Sequence, residues 1–541
     1  MTSAPPNSIV TASTPTGASL ADVFAAHVAQ QPDAPLLLAP ETGHRHVYAA
    51  LERDVAALDT FLTARGVGAG GHVAFLLPNG LATTSIFLAT MLCARVSVPL
   101  NLLSQAAQLA YVLAHSATRL VFVSREHEAV LHDAVARCAQ HGAGPLPTVL
   151  TVDVDQPLAA QLTANGAAPD QPTPPGVPAA RCTPRGSEAA LLMYTSGTTG
   201  QPKGALLTHR NLLHAARTVA AWHSLTPSDR VLSSLPLYHI NGQCIATLAP
   251  FVSGGSIVAP HRFSASAWWG WVDTWQPTWI NVVPTIIAYL LNAATDGEAS
   301  EPARPFIRFA RSASAPLPPD QHRAFERRFG IGVIEAMGMT ECASVVFCNP
   351  QDAGHRKYGT PGLPCGVDAR VVAVDSGDVL PNGATGELQL RGDNVMAGYW
   401  NAPEKTAEAL TSDGWLRTGD LGHRDGDGFY FVTGRIKELI IKGGENIAPR
   451  EIDEALLAHP AVLEAAAVGI PDKNYGQDIL AAVVLKPGAS ADEAALREHC
   501  IAQLGRYKTP AVFRFVDELP KGPSGKVQRL KLLDILDKSP G

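Results

Sequence analysis

Tyr194-Thr-Ser-Gly-Thr-Thr-Gly-Gln-Pro-Lys-Gly204 is the stretch from which the fold is read. Its eleven residues hold three glycines, four serine or threonine hydroxyls and a lysine. Glycines let backbone N–H groups converge on an anion, hydroxyls donate to it, and Lys203 neutralises charge. The combination suits a polyphosphate. An apolar run, Ala189 to Met193, leads in and predicts a strand; Ala205-Leu-Leu-Thr-His leads out, with a helix opening near Arg210. A Walker-type loop is excluded, because that motif requires G-x-x-x-x-G-K-[ST]. Gly200 is instead followed by Gln-Pro-Lys-Gly, and Lys526 by Val527.

Outward from this loop, strand and helix signals alternate. Ser19 to Ala29 reads as a capped helix, with Ser19 as N-cap and Asp22 three residues on. His72 to Leu77 reads as a strand, Ile86 to Ala94 as a helix and Leu120 to Val123 as another strand. That order predicts a mostly parallel, doubly wound sheet. Residues 167–187 are rich in Pro, Ala and Gly and read as a surface loop. From 366 to 433 short strands with turn signals replace the pattern: Arg370–Val374, Gly386–Leu390 and Phe429–Val432. The predicted class is α/β: a tail at 1–18, a large N-terminal domain of doubly wound sheets at 19–433 with a β-subdomain at about 366–433, and a small α+β domain at 434–541. Five tryptophans lie between Trp268 and Trp279, and Trp268, Val272 and Trp275 fall at helical spacing, which predicts a buried helix face.

Composition narrows the function classes. Lys+Arg total 42 against 49 Asp+Glu, a net charge of −7, where a nucleic-acid binder shows a basic excess. No nucleic-acid partner is expected. Hydrophobic residues at 46% and charged residues at 17% exclude bulk disorder. No run approaches the ~18 apolar residues of a membrane span. The first 18 residues lack the basic and apolar regions of a signal peptide. Eight cysteines without a C-x-x-C pair argue against a zinc site and a disulfide framework, so a reducing cytoplasm is the expected home.

The loop is similar to the phosphate-loop signature of the adenylate-forming superfamily, which holds acyl-CoA synthetases, luciferases and the adenylation domains of peptide synthetases. Further motifs of that superfamily are matched in its order by Pro236-Leu-Tyr-His239, Gly338-Met-Thr-Glu341, Gly386-Glu-Leu, Arg417-Thr-Gly-Asp420, Gly434-Arg-Ile-Lys-Glu438 and Pro520-Lys-Gly-Pro-Ser-Gly-Lys526. The resemblance spans about residues 20–530. It implies that a carboxylate attacks the α-phosphate of ATP to give an acyl-adenylate and pyrophosphate, after which a thiol, usually coenzyme A, displaces AMP. Such chemistry is mainly positioning and electrostatics.

By resemblance, Thr195, Ser196, Gly197, Thr198, Thr199, Gly200 and Lys203 grip the β- and γ-phosphates. Thr340 bonds the α-phosphate and Glu341 holds Mg²⁺, a hard cation suited by oxygen ligands. Adenine lies against Ser314, Ala315 and Pro316 and the Glu335, Ala336, Met337 and Gly338 stretch; many relatives carry an aromatic where Met337 stands. Asp420 clamps the ribose and Arg435 meets ribose or phosphate. Lys437 is the hinge of a mobile C-terminal domain, and Gly443 and Gly444 flank the path of the CoA thiol. His239, at the end of a predicted strand, lines the acyl pocket and gates the thiol.

The segments matching the acyl-pocket wall supply His239, Asn241, Gln243, Asn281, Arg311 and Ser312, with Arg262 nearby. A fatty-acid pocket draws its affinity from buried CH₂ groups at ~0.8 kcal/mol each. Unpaired polar groups beside an alkyl tail would cost roughly 1–3 kcal/mol apiece. The expected substrate is therefore a small polar acid with a second anionic group, of the oxalate, malonate or sulfoacetate type, with Arg311 or Arg262 as counter-charge. A short aliphatic or aryl acid stays open, as do a luciferase-type oxidation and the loading of a carrier protein.

Lys526 matches the lysine that bridges the carboxylate and the α-phosphate during adenylation. Lys526→Ala is expected to slow acyl-adenylate formation by about 10²–10⁴-fold, the scale of one preorganised electrostatic contact. Thioester formation from pre-made acyl-AMP should be far less affected; rapid-quench assays of each half-reaction separate the two, and equal damage to both refutes the assignment.

Overall fold

The computed structural model describes residues 17–142, 144–166, 183–195, 201–293, 304–521 and 527–535. The chain divides into two compact units, Met1–Asp368 with Leu390–Leu416, and Ala369–Gln389 with Arg417–Gly541.

The first unit holds two large sheets. One has seven strands in the order Gly398–Tyr399, Lys203–Thr208, Ala189–Thr195, Val96–Pro99, His72–Leu76, Leu120–Val123 and Thr148–Thr151. Its last five strands run parallel and its first two are antiparallel additions. Every residue of His72–Leu76 is buried, as a parallel strand covered on both faces requires. The other sheet has nine strands; Val333–Met339, Phe309–Ser312, Trp279–Val282, Arg230–Leu232, Ser256–Val258 and Pro35–Ala39 form its parallel centre. The predicted doubly wound architecture is present in both sheets.

Local signals account for several elements. Ser19 caps the helix Leu20–Gln30, and Asp22 returns the bond to the Ser19 N–H at 2.7 Å. The helix Ala265–Trp275 buries Trp268, Val272 and Trp275, while the Arg304 guanidinium covers Trp269 at 4.4 Å. One prediction needs correction. The helix read from Ile86 begins at Leu81, because all residues of Leu81–Leu92 are buried and no polar face marks its start. The helix read near Arg210 is present as His209–Trp222, and a strand that was not predicted, Lys203–Thr208, stands between it and the glycine-rich loop.

The second unit carries a four-stranded sheet, Asp368–Val372, Gly386–Arg391, Leu416–Arg424 and Tyr430–Arg435 in that order. It also carries a five-stranded sheet built on the long pair Val462–Asp472 and Gly476–Leu485. The helices Pro449–Leu457 and Glu493–Lys508 supply Ile452, Leu456, Leu496 and Cys500 to the core of that sheet. No helix among the described residues is long and apolar enough to cross a membrane.

His209 opens its helix fully buried, with neither ring nitrogen hydrogen-bonded among the described residues. Burial pushes its pKa down to about 4, so the native state keeps it neutral while the unfolded chain takes up a proton below about 6.5. Between pH 6.5 and 4 the unfolded state binds more protons, and this one group removes roughly 3 kcal/mol of stability over that window. Urea titrations across that range should show the loss, and His209→Leu should flatten the acid limb by about that share.

Candidate functional site

The phosphate-loop motif hangs between antiparallel strands. Thr195 ends Ala189–Thr195, Lys203 begins Lys203–Thr208, and the two residues are register partners. Ser196, Gly197, Thr198, Thr199 and Gly200 lie outside the described residues, as does Lys526. The Lys203 ammonium sits over the Tyr399 ring, 4.9 Å from its centre.

Thr340 and Glu341 form a short turn, Thr340–Cys342, directly after the strand Val333–Met339. Glu341 is held twice: the Tyr399 hydroxyl donates to its Oε1 at 2.9 Å, and the Met396 N–H donates to its carbonyl at 2.7 Å. Asn394 braces the following turn by donating to the carbonyls of Cys342 and Val345, each at 3.1 Å. One carboxylate beside a hydroxyl fits Mg²⁺, which takes few protein ligands and completes its shell with water and substrate phosphates. No cluster of three or more His, Cys, Asp or Glu suited to a metal occurs among the described residues.

Facing this turn, Ser314, Ala315 and Pro316 are exposed, with Ser314 at φ +75°. Glu335 is buried and accepts from the Leu317 N–H at 3.1 Å, which ties the 314–317 segment to the strand carrying Ala336 and Met337. Met337 is half-buried. Ala343 and Ser344 both adopt left-handed conformations, at φ +50° and +105°, unusual for residues with a Cβ and typical of functional turns.

A pocket of about 20 Å³ is lined by Ile240, Asn241, Arg311, Ala313, Ser314, Gly338 and Ser344. Arg311 lies on the strand Phe309–Ser312 and is 1% exposed. Its Nε and Nη1 have no hydrogen-bond partner among the described residues. Burial lowers its pKa, opposed by the neighbouring Cys348, Cys365 and Cys244 thiols, yet a guanidinium stays charged in a protein. Asn281, on the adjacent strand at the same register, donates to Asn241 Oδ1 at 3.1 Å, and Asn241 donates to Ser314 Oγ at 3.1 Å. The structure thus brings Asn241, Asn281, Arg311 and Ser314 into one polar row.

Other predicted residues stand elsewhere. His239 does not end a strand: the strand Arg230–Leu232 stops earlier, and His239 closes a turn by donating its N–H to the Pro236 carbonyl at 3.1 Å. Pro236, which lacks a backbone donor, cannot extend the ladder. Asn241 opens a π-helical segment, Asn241–Leu248, of eight buried residues. Gln243 is fully buried there and donates to Leu237 O at 2.6 Å and Met193 Sδ at 3.1 Å. It is absent from the pocket lining. Arg262 is exposed.

In the second unit Asp420 and Arg435 are cross-strand partners, with Arg435 Nε donating to Asp420 Oδ1 at 2.8 Å. Gly443 and Gly444 turn the hairpin between Ile440–Lys442 and Glu445–Ile447 at φ +55° and +87°. A Cβ on Gly443 would meet the Tyr507 hydroxyl at 2.8 Å. Lys437 lies in the turn Ile436–Glu438. Sequence reasoning missed Tyr399 and Ser344, since neither belongs to a motif whose local pattern announces a role.

The AMP-binding enzyme family matches this chain over residues 24–400, and its C-terminal domain matches over 451–526. The chain belongs to the AMP-binding enzyme family. Among similar proteins, sulfoacetate–CoA ligase of Cupriavidus necator is 54% identical over 95% of this chain and 97% of its own. Oxalate–CoA ligase of Arabidopsis thaliana is 33% identical over 90% of this chain and 92% of its own. The crystal structure of ATP-bound MatB from Rhodopseudomonas palustris superposes with a TM-score of 0.85 at 31% identity, covering 96% of this chain and 99% of that one.

Gly338 is a pocket residue with no room to grow: a Cβ there would meet the Ser344 carbonyl oxygen at 2.1 Å. Gly338→Ala must displace the Ser344 backbone and should cost about 1–3 kcal/mol, the usual range for overpacking. A denaturant titration measures it, and an unchanged midpoint contradicts the packing described.

Proposed function

We propose that this member of the AMP-binding enzyme family is an ATP-dependent acid–CoA ligase acting on a small acid that carries a second anionic group. In the first half-reaction a carboxylate oxygen attacks the α-phosphorus of ATP, and the bond to pyrophosphate breaks. In the second, the CoA sulfur attacks the acyl carbon, its proton is lost, and AMP leaves. Mg²⁺, when bound, would neutralise phosphate charge; Glu341 is the residue proposed to hold it. Lys203 and the glycine-rich loop are proposed to orient the phosphates, Thr340 the α-phosphate, and Asp420 and Arg435 the ribose. Lys526 is proposed to guide the attacking carboxylate. The small domain is proposed to begin near 434 and pivot at Lys437, which lies in a turn between two strands. A cytoplasmic home fits the seven free, buried cysteines among the described residues.

The observation that carries the substrate class is Arg311, a buried cation lining the pocket whose Nε and Nη1 have no hydrogen-bond partner among the described residues. Cys348, Cys365 and Cys244 lie beside the guanidinium, and a carboxylate or sulfonate seated against Nε and Nη1 would give those two donors charged acceptors. An alkyl or aryl tail would leave them unpaired. The identities to ligases named for sulfoacetate and oxalate support the same class.

A panel of acids with ATP and CoA tests the reading. A C2–C4 diacid or sulfo-acid should lead in kcat/KM, and octanoate or a cinnamate outcompeting all of them overturns it. Arg311→Met should lower kcat/KM for the leading acid by about 10²-fold or more, because truncating one partner of a buried charge pair costs about 2–5 kcal/mol. Short monoanionic acids should lose much less, and an equal loss for both classes speaks against the counter-charge.

A further inference from the structure

We propose that Tyr399 is the positioning residue that keeps Lys203 and Glu341 apart and correctly aimed at the ATP polyphosphate and its divalent cation. The inference rests on the reading that these two residues serve ATP and its metal.

Tyr399 touches both groups by different parts of its side chain. Its hydroxyl donates to Glu341 Oε1 at 2.9 Å, and its ring face lies 4.9 Å from the Lys203 ammonium. Its backbone is anchored on the strand that begins with Lys203: Tyr399 pairs with Ala205, Gly398 pairs with Leu206, and the Trp400 N–H donates to Gly204 O at 2.7 Å. Met396, three residues earlier, donates to the Glu341 carbonyl. One short edge strand therefore fixes the lysine and the carboxylate together.

The chemistry of the intermediary explains why a tyrosine suits the place. A direct ion pair between an ammonium and a carboxylate would cancel both charges and occupy the lone pairs a metal needs. A phenol orients a carboxylate by one neutral hydrogen bond and leaves its charge and remaining acceptor capacity intact. A ring face attracts an ammonium without neutralising it.

Titration calorimetry of the full chain with ATP, without acid, in excess Mg²⁺ and again in EDTA, tests this. Wild type should bind ATP more tightly with Mg²⁺. Tyr399→Phe keeps the ring and removes the hydroxyl, so it should lose about tenfold of the Mg²⁺-dependent affinity, the scale of a hydrogen bond to a charged group, with its affinity in EDTA little changed. Tyr399→Leu removes the ring as well and should weaken binding in both conditions. Thioester formation from pre-made acyl-AMP should remain near wild type in Tyr399→Phe. A Mg²⁺-responsive wild type with an unchanged Mg²⁺ increment in Tyr399→Phe overturns the proposal alone. A wild type indifferent to Mg²⁺ overturns the metal reading of Glu341 and the proposal with it.

Discussion

A cation kept dry is the constraint around which the large unit is arranged. Arg311 stands on a strand hydrogen-bonded on both sides, to Trp279–Val282 and to Val333–Met339, so the backbone cannot relax to release the guanidinium into water. Desolvating an ion costs several kcal/mol even after relaxation. The surrounding sheet must supply that energy through its packing, and the apolar cluster that includes Trp268, Ile280, Val282, Ala310 and Phe325 does so from the same strands and neighbouring helices. Asn281, Asn241 and Ser314 form a hydrogen-bonded row beside the guanidinium, and Asn241, Ser314 and Arg311 line one small pocket.

Direct ion pairs brace both units, in the first Arg304 on Asp273 at 2.8 Å and Arg308 on Asp229 at 2.6 Å. In the second, opposite charges meet directly and brace the strands: Arg435 on Asp420 at 2.8 Å, Lys442 on Asp478 at 2.6 Å, and Arg529 on Asp453. In the first, Lys203 and Glu341 each meet Tyr399 instead, and neither forms a salt bridge among the described residues.

Much of the fold was legible because its signals are local. Ser19 and Asp22 announce a capping box within four residues, and the spacing of Trp268, Val272 and Trp275 marks a buried helix face. Legibility failed where burial is complete. Leu81–Leu92 has no polar side to mark its beginning, and the π-helical turn at Asn241–Leu248 is buried throughout. Lys203–Thr208 was hidden by the loop motif that precedes it, whose glycines suggest a helix N-terminus as readily as a strand.

The sequence by itself determined the family, the order of the motifs and the residue types a polyphosphate needs, since those are properties of short runs read along the chain. Tertiary structure alone decided what each side chain does with its polar atoms. Gln243 and Asn241 are two residues apart, yet one is spent on Leu237 and Met193 while the other joins the pocket. Tyr399 finds Glu341 across 58 residues of chain. Arg311 reads as an ordinary arginine until its strand is paired on both sides and the side chain is buried. Propensity and periodicity act over a few residues, whereas desolvation and hydrogen-bond partnership are set by whichever distant elements pack against a group, and these decide where charge stays unspent.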